Sequence, residues 1–190
     1  MHKPEPTGPE RIVYESRLFE IVKQPMRIGE KQLDFETVRR PPGVRLIIVQ
    51  DGKLLLQKEY RVELNGDDYR LPGGKVFDTI AAYREYTGDL LMKAAEAAKK
   101  ECEEETGLRP TNLHHFYSTS KASLVEWDLY YFVVEAFEEI TDEAGNIHEG
   151  ELIKPAWKTF AEAKAMCLSG AIQEERSVAV LLRYFRSVTS

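Results

Sequence analysis

Cysteine is scarce in this chain: only Cys102 and Cys167 occur, and they form no Cys-x-x-Cys pair, so a zinc ribbon or a dithiol redox site is excluded. Each sits in a helix-like apolar pattern and is expected to be a buried thiol. No apolar run approaches the ~20 residues needed to cross a bilayer; the stretch around Leu46 and Val49 is typical of the longest. The start, Met1-His2-Lys3-Pro4-Glu5-Pro6, has no apolar segment of the secretory kind, so a cytoplasmic protein without membrane attachment is expected. Basic charge is also short, with 26 Lys and Arg against 32 Asp and Glu, a net charge of -6 and a pI of 5.4. That balance argues against nucleic acid as a partner. It does not argue against phosphate, because carboxylates that recruit divalent cations reverse the sign of a site. Internal repeats and low-complexity segments are absent.

What is present is ordinary globular material, 43% hydrophobic and 31% charged over 190 residues. A chain of this length buries roughly 70% of its unfolded surface, enough for a core without disulfides or a structural metal. Residues 1–10, with three prolines and a glycine, read as a flexible tail. Residues 11–42 read as an N-terminal strand region from the alternation in Ile12 to Gln24 and Gln32 to Arg40, with a turn at Arg27 to Lys31. The main domain then occupies 43–190. Val44 to Gln50 is a buried-type strand, Asp51-Gly52 a hairpin turn, and Lys53 to Arg61 the returning strand. A short helix is expected from Thr79 to Tyr86. A longer one follows, capped by Asp89, running from Leu90 to Thr106 and ended by Gly107. Strands are expected at Leu113 to Ser118 and Glu126 to Phe137, and an acidic loop from Glu138 to Glu151. Thr159-Phe160-Ala161-Glu162 is a capping box for a helix to Leu168, and Glu174 to Val188 is the last helix.

Chemistry concentrates at Gly73-Gly74 and at Lys100-Glu101-Cys102-Glu103-Glu104-Glu105-Thr106-Gly107-Leu108. Glu101 and Glu105 are four apart on a helix and share a face, with Glu104 beside them. Such stacking is mildly repulsive on a solvated surface and becomes useful when divalent cations bind between the carboxylates. The run resembles the second half of the Nudix box, G-x5-E-x7-R-E-U-x-E-E-x-G-U with U aliphatic, nearly position by position. Lys100 stands where the family has Arg; it can pair with Glu104 but lacks the bidentate fork. From Gly74 to Lys100 is 26 positions where the box has 14, an insertion of 12 residues. Counting back from Lys100, the first box glutamate falls on Met92, so that acid is missing or replaced by Asp89, Asp78 or Glu85.

The resemblance extends from about Arg11 to Phe185 and is strongest to the ADP-ribose and nucleoside-diphosphate-sugar pyrophosphatase branch. It implies an α/β fold, a Nudix α/β/α sandwich with a mixed sheet plus N-terminal antiparallel strands that serve a homodimer. It further implies Mg²⁺, with Mn²⁺ as a substitute, held by Glu101, Glu104, Glu105 and the Gly73 carbonyl. By match to the branch's E-x-E-x-I loop, Glu149 is the general base and Glu151 a further metal ligand. Glu105 is counted with the catalytic set. Arg39, Arg61 and Glu126 would contact the substrate. Each also has a plainer reading, Arg39, Arg61 and Arg70 as sheet-edge charges and Glu126 as the start of an edge strand. Trp127, Tyr130, Tyr131 and Phe132 are expected in core and interface, not as a base-stacking platform. The expected reaction is hydrolysis of a small-molecule nucleoside diphosphate, ADP-ribose or a nucleotide sugar, to a nucleoside monophosphate and a sugar phosphate. The alternative is a non-catalytic Nudix-like nucleotide sensor. A Ca²⁺ binder is disfavoured, because Asp142 to Asn146 lacks EF-hand spacing.

Overall fold

The computed structural model describes residues 3–120, 124–140 and 154–188. Four early strands, β1 (Glu5–Pro6), β2 (Arg11–Glu15), β3 (Glu20–Ile28) and β4 (Lys31–Arg39), build an antiparallel N-terminal sheet. The single strand expected from Ile12 to Gln24 is two strands. Ser16 breaks it: its hydroxyl accepts the Phe19 N–H at 3.1 Å, and its own N–H donates to the Phe19 carbonyl at 2.8 Å. That hydroxyl offers the backbone a turn in place of the ladder. Within the stretch expected to be a loose tail, Glu5 and Pro6 pair with Arg27 and Met26.

A second sheet holds β5 (Gly43–Gln50), β6 (Lys53–Arg61), β7 (Gly66–Arg70), β8 (Leu108–Thr119), β10 (Leu129–Glu139) and β11 (Lys154–Thr159). Its order is β11-β6-β5-β10-β8, with β7 also on β6; β5 and β10 run parallel and the other pairs antiparallel. The mixed sheet is therefore present. The hairpin between β5 and β6 turns at Asp51 and Gly52, both at positive φ, the conformation that an Asp-Gly pair favours. A two-residue strand, β9 (Val125–Glu126), crosses to pair with β4 of the first sheet.

Among the described residues four α-helices complete the fold: α1 (Ile80–Glu85), α2 (Leu90–Thr106), α3 (Phe160–Ser169) and α4 (Glu175–Val188). Asp89 caps α2 by accepting the Leu91 and Met92 N–H groups, and Gly107 ends it in the left-handed conformation. Thr159 and Glu162 form the capping box of α3. Central strand β5 is covered on both faces, which is why its sequence is an almost unbroken apolar run. Val44, Leu46 and Ile48 pack against Ala94, Ala98 and Cys102 of α2. These three small residues recur every four positions and let the helix lie close to the sheet. On the other face Ile47, Tyr131 and Val133 pack against α3 and α4 through Cys167, Leu181 and Phe185. The layers are α/β/α, as the family resemblance implied, and both cysteines are buried free thiols. No helix among the described residues is long and apolar enough to cross a membrane.

Candidate active site

The Leu71 to Lys75 segment lies along the first half of β5. Leu46 N–H donates to the Pro72 carbonyl at 2.8 Å, and Val44 N–H to the Gly74 carbonyl at 2.9 Å. So close an approach requires glycine. At Gly73, with φ at 147°, a Cβ would overlap the Val44 carbonyl oxygen, and at Gly74 it would overlap the Glu101 carboxylate. The segment thus brings its backbone directly against the last turns of α2.

Glu105 closes this contact by accepting the Gly73 N–H at 2.7 Å. Burial pushes its carboxyl up to about 7; the Gly73 bond opposes that, Glu101 adds to it, and Arg45 lowers it. Glu101 is also raised, first by burial and then by Glu104, against the pull of Lys100 and Lys75. Gln57 of β6 donates to the Glu105 carbonyl at 3.3 Å. Glu104 points elsewhere, at 3.4 Å from Lys100 and half exposed. Among the described residues no three His, Cys, Asp or Glu side chains converge on one point. What converges is a pair of carboxylates, Glu101 and Glu105, with the Gly73-Gly74 backbone.

The other sequence candidates lie in different settings. Arg39 and Glu126 do meet, at 3.0 Å, but Arg39 also pairs with Glu20 at 2.9 Å and Glu10 at 2.8 Å, so its guanidinium is committed to three carboxylates. That commitment raises its pKa, the Glu10 hydrogen bond first among the raising causes. Arg61 is held by Glu59 at 2.7 Å and by Glu63. Arg70 is held by buried Asp68 at 2.7 Å. Glu149 and Glu151 lie outside the described residues. The sequence reading passed over Gln57 and Arg45. Arg45 had a legible signal, a charge within a buried apolar strand.

A carboxylate pair on a helix, seated against a glycine turn of an α/β/α sandwich, defines a hydrolase-type site for anionic substrates. The NUDIX domain model matches residues 39–179, and the chain belongs to the Nudix family. As a Nudix-type hydrolase it acts on diphosphate bonds of nucleotide-like compounds. It is 28% identical over 165 residues to a CMP-5'-(N-acetyl-N-hydroxy-3-aminopropyl)phosphonate hydrolase of Streptomyces rubellomurinus (strain ATCC 31215), covering 85% of this chain and 72% of that one. Its fold is similar to the crystal structure of an ADP compounds hydrolase, with a TM-score of 0.75 at 20% identity, over 100% of this chain and 96% of that one.

Proposed function

We propose that the protein is a divalent-metal pyrophosphohydrolase, using Mg²⁺ or Mn²⁺, that cleaves ADP-ribose or a nucleoside-diphosphate sugar to a nucleoside monophosphate and a sugar phosphate. One observation carries this reading: Glu101 and Glu105 are brought together and desolvated, and neither has an ion-pair partner among the described residues. Two half-buried carboxylates that face each other without an ion-pair partner are costly to desolvate unless a cation joins them. The donor set fits Mg²⁺, which takes one or two carboxylates and completes its shell with water and substrate phosphate. Glu101, Glu105 and the Gly73 carbonyl would hold the ion, with Glu151 as a further ligand; Glu104 would join by leaving Lys100. The chemistry such an ion supplies is neutralisation of the diphosphate and a lowered pKa for water. Glu149 would take the proton from the attacking water. Gln57 and the Gly73 N–H hold Glu105 in place. Arg61 would reach the substrate by exchanging a carboxylate partner for phosphate, while Arg39 and Glu126 fix the N-terminal strands beside the site. Two copies would associate through those strands.

The test is release of nucleoside monophosphate, by chromatography, from ADP-ribose, ADP-, GDP- and UDP-sugars and a CMP-linked phosphonate, with Mg²⁺ and with EDTA. The last compound is included because the Streptomyces relative is named for that chemistry. Metal-dependent release from one class supports the reading. Binding of nucleotide without release from any would favour a nucleotide sensor.

A further inference from the structure

The face of the sheet opposite α2 carries a second charged cluster at the Gly43 end of β5. Trp127 lies between β9 and β10, with the Arg40 guanidinium carbon 3.9 Å and that of Arg176 4.2 Å from its ring centroid. Two guanidinium planes at that height do not fit on one side of an indole, so each takes a face, and neither face is left for a nucleobase. Arg176 is anchored: its Nη1 donates to the Trp127 carbonyl at 2.8 Å, and its Nε lies 3.6 Å from Glu174. Glu174 is shared with Arg45 at 3.9 Å and also accepts the Ser177 hydroxyl. Arg40 has no carboxylate partner among the described residues. Among the described residues Glu174 is thus the one carboxylate ion-paired with this arginine cluster, Arg45 lying also near enough to Glu105 to lower its pKa, and the Arg45 and Arg176 side chains are only 12% and 23% exposed. Burial, and then Arg45 and Arg176, push the Arg40 pKa down, as expected where positive charge is uncompensated.

This cluster adjoins the carboxylate pair. A Cβ on Gly43 would stand 3.5 Å from the Trp127 ring nitrogen and 3.0 Å from the Gly74 carbonyl oxygen, and Gly74 is the residue against which Glu101 packs. The glycine backbones thus separate a site with excess negative charge from one with excess positive charge. If cations held by Glu101 and Glu105 compensate a diphosphate, the arginines remain unsatisfied. Planar, permanently charged guanidiniums suit a phosphate, phosphonate or carboxylate.

We propose that Arg40 and Arg176, stacked on Trp127 and backed by Arg45, form an anion subsite that takes a phosphate, phosphonate or carboxylate group of the substrate other than the diphosphate being cleaved. Only the assignment of that anion to the substrate rests on the hydrolase reading. The chain has two tryptophans, so Trp157→Phe leaves Trp127 as the sole indole emitter. In that background, with EDTA present and ionic strength constant, methylphosphonate should shift Trp127 emission saturably. Arg40→Gln and Arg176→Gln should weaken the response roughly tenfold or more, and Arg40→Lys should restore part of it. No saturable shift, or the same curve in Arg40→Gln, overturns the subsite. A second arm compares UDP-glucuronate with UDP-glucose under Mg²⁺. A preference for the carboxylate sugar that Arg40→Gln abolishes supports the assignment to substrate, and an equal loss on both sugars overturns it. A methylphosphonate response with no turnover across the whole nucleotide panel would sink the hydrolase reading and leave the subsite standing.

Discussion

Gly73 and Gly74 are neighbours that should fail in different ways when given a methyl group. At Gly73 the Cβ meets the Val44 carbonyl, which is locked in the sheet, and the φ of 147° is one that L side chains rarely adopt. Gly73→Ala is therefore expected to cost about 2–4 kcal/mol and to lower the thermal midpoint clearly in a melting experiment. At Gly74 the obstacle is the end of the flexible Glu101 side chain. Gly74→Ala should leave stability within about 1 kcal/mol and move the carboxylate, so that turnover drops by at least about tenfold while the melt barely changes. If the two variants lose stability equally, Glu101 is not seated where the geometry puts it. Glu105→Gln isolates charge from shape. The amide oxygen can still accept the Gly73 N–H, and a neutral group is cheaper to bury than a carboxylate whose pKa burial has pushed up to about 7. Its melting temperature should match or exceed that of the wild type, with hydrolysis reduced by about 100-fold or more. Wild-type turnover in this variant would remove Glu105 from the metal site.

The segment between the glycine turn and α2 gives the protein an element with a specific attachment. α1 docks on the N-terminal sheet: Ile80 is 1% exposed, and its N–H donates to the Arg17 carbonyl at 2.9 Å. Arg84 lies 2.7 Å from Glu15 and 2.8 Å from Glu20, and Glu20 is fully buried and shared with Arg39. The segment therefore ties the site-bearing loop to the strands of the first sheet. Arg84→Ala leaves Glu20 with Arg39 alone; it should lower the thermal midpoint and speed protease cleavage within β2 and β3. Cleavage rates unchanged from wild type would mean that the clamp holds nothing. Elements of this kind explain what could be read from the sequence. The ends of α2 and the start of α3 were legible because Asp89, Gly107 and Thr159 act on backbone within four residues of themselves. Glu101 and Glu105 were legible because helical spacing alone puts them on one face. The break at Ser16 was not, because no glycine or proline marks it, and strand β11 was hidden because Lys154 to Thr159 alternates weakly and pairs with distant β6. The three carboxylate partners of Arg39 were not legible, because residues 10, 20 and 126 are brought together only by the fold. The arginine stack on Trp127 was invisible for the same reason.

At the level of the whole molecule, the N-terminal sheet has two faces of opposite character. Cross-strand partners point to the same side, so the register sets Ile12 beside Val22, Phe35 beside Gln24 and Leu33 beside Met26 on one face. The other face carries ion pairs, Lys23 with Glu36 at 2.6 Å and Arg27 with Glu5 at 3.0 Å. On the apolar face Ile12 and Phe35 are each 44% exposed and Leu33 39%, more than a sheet of this pattern leaves to water without reason. A two-fold dimer would cover the patch with its own copy, and a stable one needs about 1,200 Å² or more of buried surface. Phe35→Asp puts a charge at the centre of that surface without touching the buried core. Light scattering at micromolar concentration should give a dimer mass for the wild type and half that mass for the variant. Because a dimer stabilises its folded subunits by mass action, the wild-type melting temperature should also rise with protein concentration and that of Phe35→Asp should not. A monomeric wild type with a concentration-independent melt would leave the apolar face without a second copy to cover it, and would require the site to work from one chain alone.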